Sequence, residues 1–135
     1  MRIAHVEQLT DQFQSIVKSL LIRHQSILDI LSKGQETSAR VNRAVVKSVT
    51  SCGCHAVNAH KKSLPPDASL VDLKELLDSQ LEGFLCDNCQ DIIEAELGKQ
   101  LFYIAALANA LDISLSDVLY QECEKLQTLT IFNLT

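Results

Sequence analysis

Cys86-Asp87-Asn88-Cys89-Gln90-Asp91-Ile92-Ile93-Glu94-Ala95-Glu96-Leu97, continued as Gly98-Lys99-Gln100-Leu101-Phe102-Tyr103-Ile104-Ala105-Ala106-Leu107-Ala108-Asn109-Ala110-Leu111, is the stretch on which the fold turns. Its apolar residues Ile92, Ile93, Leu97, Leu101, Ile104, Ala105, Ala108 and Leu111 recur in steps close to the period of an amphipathic α-helix. Asp87, Asp91, Glu94 and Glu96 crowd the first turns, where the positive end of the helix dipole favours carboxylates. The spacing predicts a helix over 86–111 whose apolar face is turned to a core. Asn109 interrupts that face and is expected to hydrogen-bond a partner helix or a ligand.

Working outward, Val6, Leu9, Phe13, Ile16, Leu20, Ile27 and Leu31 fall in steps of three and four, with His24 filling the one gap as a satisfied core histidine. This predicts one long N-terminal helix over 1–34, ended by Gly34 as a left-handed cap. Its near-heptad spacing suits left-handed bundle packing. A second helix is expected over Gln35 to Thr50, with Val41, Ala44, Val45 and Val49 on one face. Residues 51–68, with Gly53, Pro65 and Pro66, read as a Cys- and Pro-containing loop. Ser69 and Asp72 form a capping box before a short helix carrying Leu73, Leu76, Leu77 and Leu81, which ends at Gly83. Ser114 with Asp117 starts a fifth helix, and Leu129 to Thr135 is a β-prone tail. The fold class is therefore all-α, an antiparallel bundle of about five helices forming a single domain over 1–135.

The chain has 135 residues, 47% of them hydrophobic and 21% charged, which is enough for one folded core. Twelve basic against seventeen acidic residues leave a net charge of −5, so general nucleic-acid binding or adhesion to an anionic membrane is not expected. No apolar run approaches the roughly 18 residues of a membrane span. Met1 to Glu7 lacks the pattern of a secretory signal, so a cytoplasmic location is expected, where thiols stay reduced.

Five cysteines in such a compartment point to metal or redox chemistry. Cys52-Gly53-Cys54 and Cys86-Asp87-Asn88-Cys89 are two close pairs, and tetrahedral zinc takes four soft ligands. Cys52, Cys54, Cys86 and Cys89 are the predicted metal ligands, with His55 and His60 as alternates for one thiolate. Four thiolates leave no open position, so the zinc would be structural. A thiol redox pair and merely buried cysteines are the competing readings. Against the redox pair, the Cys-x-x-Cys does not follow a strand in a strand–helix–strand pattern. Cys123 is expected to be a small core residue.

The segment from Glu94 to Lys125, including Glu94-Ala95-Glu96-Leu97-Gly98-Lys99 and Leu111-Asp112-Ile113-Ser114-Leu115, resembles the MazG-like all-α nucleotide pyrophosphohydrolases. The resemblance implies a Glu-Glu-x-x-Glu helix and a later Glu-x-x-Asp helix that together hold Mg²⁺ for nucleoside triphosphate hydrolysis. Glu96 matches the Glu of Glu-x-x-Asp, but Lys99 stands where the Asp belongs. In Gln35-Glu36-Thr37-Ser38-Ala39 only Glu36 survives. The ammonium of Lys99 would repel Mg²⁺ and neutralise the vestigial catalytic carboxylates Glu36 and Glu96. The expected function is thus a non-catalytic, zinc-stabilised module binding a nucleotide or a protein. The alternatives are a divergent Mg²⁺-dependent pyrophosphohydrolase and a thiol redox sensor. Arg40, Arg43 and Lys47 form a basic helix stripe, either a solvated face or a phosphate contact. The near-heptad first helix makes a homo-oligomer an expectation, and the resemblance implies a four-helix bundle at its interface.

Overall fold

Among the described residues there are five α-helices: α1 (Arg2–Leu20), α2 (Ile27–Lys47), α3 (Leu70–Leu76), α4 (Asp87–Ala110) and α5 (Leu115–Leu129). They appear in a computed structural model that describes residues 2–130, with the side chains of 4–130. The class is all-α, with one addition: β1 (His55–Val57) pairs antiparallel with β2 (Leu81–Gly83) in a small ribbon.

The long first helix is corrected. α1 ends at Leu20, and a new helix starts after Ser26. Local polar groups explain the break. The Gln25 side-chain amide donates to the carbonyls of Leu21 (3.1 Å) and Ile22 (3.0 Å), drawing the chain out of the helical path. Ser26 then accepts from the N–H of Asp29 (3.1 Å) as an N-cap. His24 is a half-buried residue of this turn, 3.5 Å from Asp29, rather than a core position. Gly34 is interior to α2, where the buried Thr37 returns its hydroxyl to the Lys33 and Gly34 carbonyls.

The expected loop from 51 also changes. α2 passes into a π-helical turn over Ser48–Cys52 that closes at Gly53, whose φ of +79° suits a residue without a Cβ. β1 follows directly. The capping box of Ser69 and Asp72 is formed, but α3 stops at Leu76, and Leu81 to Gly83 belong to β2 instead. The tail from Leu129 is helical at its first residue, and 131–135 lie outside the described residues.

The chain resolves into two compact units, Met1–Val41 with Ala95–Thr135, and Asn42–Glu94. The first is built on Val17, Ile30, Ala105 and Ala106, flanked by Phe13, Leu21, Phe102, Tyr103, Leu107 and Leu115. Ala105 and Ala106 are almost wholly buried, since their small side chains let other elements pack close to the α4 backbone. Asn109 does bond a neighbouring helix, donating to the Gln14 carbonyl at 3.0 Å. The Gln14 side chain in turn donates to the Ile113 carbonyl and accepts from the Leu115 N–H, pinning the α4–α5 turn. The Ser114 cap of α5 is formed on the Asp117 N–H.

Two expectations about the core are corrected. Leu97, Leu101, Ile104 and Leu111, assigned to the buried face of α4, are about half exposed, because that helix packs through Phe102, Ala105 and Ala106. Cys123 is exposed on α5, not a core residue. Among the described residues no single helix is long and apolar enough to cross a membrane.

Candidate metal centre

The second unit holds the four paired cysteines. Cys52 is the last residue of the π-helical turn, and the left-handed Gly53 turns the chain back so that Cys54 leads into β1. Ser48 anchors this turn: it is fully buried, and its hydroxyl donates to the Val45 carbonyl at 2.7 Å and lies 3.4 Å from His55 Nδ1. Its carbonyl accepts from the Gly53 N–H (3.0 Å) and lies 3.7 Å from the Cys54 sulfur.

The ribbon carries the second pair to the first. His55 is opposite Gly83, Ala56 opposite Glu82 and Val57 opposite Leu81, with Asn58 N–H donating to the Gln80 carbonyl beyond the last pair. Gly83, with φ of +87°, lies so close that a Cβ there would collide with the Cys54 carbonyl oxygen. Glycine is required by both backbone conformation and space. Cys86 immediately precedes α4, its carbonyl accepting the Gln90 N–H at 2.9 Å, and Cys89 lies in the first helical turn.

The sulfur atoms of Cys52, Cys54, Cys86 and Cys89 all lie within 4.8 Å of one another. The Cys52 and Cys86 sulfurs are 3.7 Å apart, far beyond the roughly 2.05 Å of a disulfide. A tetrahedron with zinc–sulfur bonds of about 2.3 Å has edges of about 3.8 Å. The four free thiols therefore have the composition and spacing to hold a metal ion. Neither His55 nor His60 belongs to the group.

The thiols differ in acidity. The Cys89 N–H donates to the Cys86 sulfur (3.4 Å) and, helped by neighbouring thiols, lowers its pKa to about 7. Cys89 is pushed up to about 12, first by its hydrogen bond with Cys86 and then by burial. A dication would remove the conflict, since it stabilises all four thiolates together.

The first unit brings together the residues of the other predicted site. Lys33, Glu36 and Arg40 of α2 and Lys99 of α4 line a cleft of about 510 Å³ with Phe102 and Tyr103. Lys33 Nζ is 2.9 Å from Glu36, and this hydrogen bond holds the Glu36 carboxyl below its ordinary range. Arg40 bridges the carboxylates, its Nη1 3.4 Å from Glu36 and its Nε 3.4 Å from Glu96. Lys99 Nζ is 3.7 Å from Glu96, whose side chain is only 15% exposed and whose Oε2 is buried without a hydrogen bond. Of the basic stripe only Arg40 belongs to this unit, while Arg43 and Lys47 fall in the other.

Sequence reading missed Ser48, which no motif marks, and the ribbon role of Gly83. A signal for the latter exists: each cysteine pair has a glycine within three residues, Gly53 inside the first and Gly83 before the second.

No protein-family profile matches the chain, and no solved structure does. A curated protein described as Gene 37 protein of Mycobacterium phage L5 is similar, with 40% identity over 47 residues, which are 35% of this chain. The matched segment spans 41% of the phage protein's own length.

Proposed function

We propose that the chain is a helical module whose Cys52, Cys54, Cys86 and Cys89 hold one structural zinc ion. The observation that carries this reading is the meeting of four thiol sulfurs within 4.8 Å, supplied by two segments more than thirty residues apart. Zinc suits an all-thiolate tetrahedral set, and a filled set leaves no position for substrate or water. The ion ties the end of the α2 turn to the start of α4, and so fastens a ribbon whose strands of three residues have little stability of their own. Purified protein is expected to carry about one zinc per chain by elemental analysis. Cobalt replacement should give the intense thiolate charge-transfer and visible bands of a tetrahedral tetrathiolate site. Protein that binds neither ion after reduction and zinc supplementation would overturn the proposal.

A second reading concerns the cleft and rests on the clustering of Glu36, Arg40, Glu96 and Lys99. Glu36, Glu96 and Lys99 are the residues that resemblance to MazG-like pyrophosphohydrolases singles out, and Arg40 joins them from the basic stripe, so that cations are paired to the carboxylates where Mg²⁺ would be needed. In this reading the cleft retains affinity for a nucleotide without turnover. Zinc-loaded protein is expected to release no pyrophosphate from a panel of nucleoside triphosphates with Mg²⁺ or Mn²⁺. Turnover abolished by Glu96→Gln would make it a divergent hydrolase instead.

A further inference from the structure

The charged groups of the cleft form an alternating chain: Lys33 to Glu36 (2.9 Å), Glu36 to Arg40 (3.4 Å), Arg40 to Glu96 (3.4 Å) and Glu96 to Lys99 (3.7 Å). Three cations against two carboxylates leave one positive charge in excess. Each carboxylate is held between two cations. Lys33 and Lys99 stand at the ends, each with a single anionic neighbour among the described residues. Both ends line the cleft, as does Arg40, so an anion seated there meets all three cations and closes the chain.

The floor beside them is nearly bare backbone. Ala95, Gly98 and Phe102 line the cleft from one face of α4, at spacings of three and four residues. Gly98 is the residue that the fold does not explain. It is interior to α4, where glycine is the poorest helix former after proline. It is not among the glycines with positive φ, and a Cβ built on it would meet no atom within 4 Å. Neither conformation nor packing therefore requires glycine, as both do at Gly83. A side chain at this position would instead take up the open space of the cleft. Backbone laid bare in this way lets a flat group approach closely. Phe102 and Tyr103, set edge to face with ring centroids 5.2 Å apart, supply an aromatic wall. The cleft volume of about 510 Å³ lies within the roughly 300–1,000 Å³ of small-molecule sites.

We infer that the cleft takes a flat heterocycle bearing one phosphate monoester, the chemistry of a nucleoside monophosphate, without a divalent metal, and that Gly98 keeps the room for its ring. The inference rests on the reading of the cleft as a nucleotide site, and departs from the triphosphate that the resemblance implies. Charge decides between the two. A phosphate monoester brings about −1.5 to −2 near neutrality, which the two chain ends and the Arg40 guanidinium can match. A triphosphate brings more, an excess that Mg²⁺ offsets where enzymes act on it. Here both carboxylates are already engaged by cations and neither is left to hold Mg²⁺. The cleft and the four thiols belong to different units, so the inference does not depend on zinc.

Calorimetric titration of the zinc-loaded protein in Mg²⁺-free buffer, with the common ribo- and deoxyribonucleoside monophosphates as probes, is expected to find at least one that binds in the micromolar range. Its affinity should not change when Mg²⁺ is added. It should exceed, at least tenfold, that of the matching triphosphate in the same buffer and that of the matching nucleoside without phosphate. Gly98→Leu is expected to weaken binding at least tenfold while melting no lower than the wild type. Gly34→Ala is the control, at a helical glycine with the same open surroundings but outside the cleft lining. It should raise the melting midpoint by about 4 °C and leave the affinity as it is. Lys99→Gln, which removes one end of the charge chain, should weaken binding several-fold and covers the case in which Gly98→Leu fails to fold. Binding of the triphosphate alone, or only with Mg²⁺, would overturn the inference and leave the nucleotide reading of the cleft standing. No binding of any nucleotide, with or without Mg²⁺, would overturn both. A folded Gly98→Leu or Lys99→Gln protein with wild-type affinity would also overturn the inference, since the ligand would then lie elsewhere.

Discussion

Cys86→Ser is expected to abolish stoichiometric zinc binding and to melt the ribbon, with the Asn42–Glu94 unit losing its cooperative thermal transition or melting at least 10 °C lower. Structural zinc in small domains contributes about 10–16 kcal/mol of apparent binding free energy at neutral pH, and a strand pair of three residues has little else to hold it. Cys86 also makes a hydrogen bond within the cluster. Its sulfur accepts the Cys89 N–H, and it is the thiol lowered to about 7, hence the one most ready to ionise for a metal near neutrality. Elemental analysis with circular dichroism melting checks the result. Cys123→Ser serves as the control and should change neither quantity, because that thiol lies exposed on α5, outside the cluster. A Cys86→Ser protein with full zinc and an unchanged melt would contradict the tetrathiolate site.

Ala105→Leu should be the most damaging single change in the first unit. The Ala105 side chain has no exposed surface and belongs to the small cluster with Val17 and Ile30. Three added carbons have nowhere to go without moving the surrounding elements, and overpacking of this kind costs about 1–3 kcal/mol. At about 4 °C per kcal/mol for a chain of this size, calorimetry should show the midpoint falling by about 4–12 °C. Zinc content should stay at the wild-type value, since the substitution lies outside the cysteine-bearing unit.

The two kinds of residue behind these predictions were not equally legible. The four cysteines could be singled out because thiols in two close pairs announce their chemistry regardless of the fold between them. The ribbon that joins the pairs could not, because three residues are too few to establish an alternating pattern. The helix break at residues 21–26 was hidden for a different reason: apolar spacing continued across it, while the Gln25 and Ser26 contacts that turn the chain are polar and local. α4 was read as a helix with nearly its observed limits, and Ile93, Ala105 and Ala108 are buried as expected, yet Leu97, Leu101, Ile104 and Leu111 of the same assigned face are about half exposed. Periodicity reports where apolar side chains lie around an axis, and a helix apolar on two sides offers two answers. The pairing of Lys99 with Glu96 follows from their spacing of three residues on one helix, whereas the Arg40 bridge to Glu36 and Glu96 needed the fold.

The ribbon ladder also sets where the chain can grow. Its last pair, Val57 with Leu81, and the Asn58 to Gln80 hydrogen bond close off the segment 58–80 from the thiols at its base. The distance between the cysteine pairs is therefore fixed by the ladder and not by the length of the intervening chain. Loop-closure entropy rises only logarithmically, about 0.6 kcal/mol for each doubling. Insertions near Pro65 and Pro66 thus leave the four sulfurs where they are, which makes this stretch the permissive position for a reporter peptide or for divergence in length among related chains.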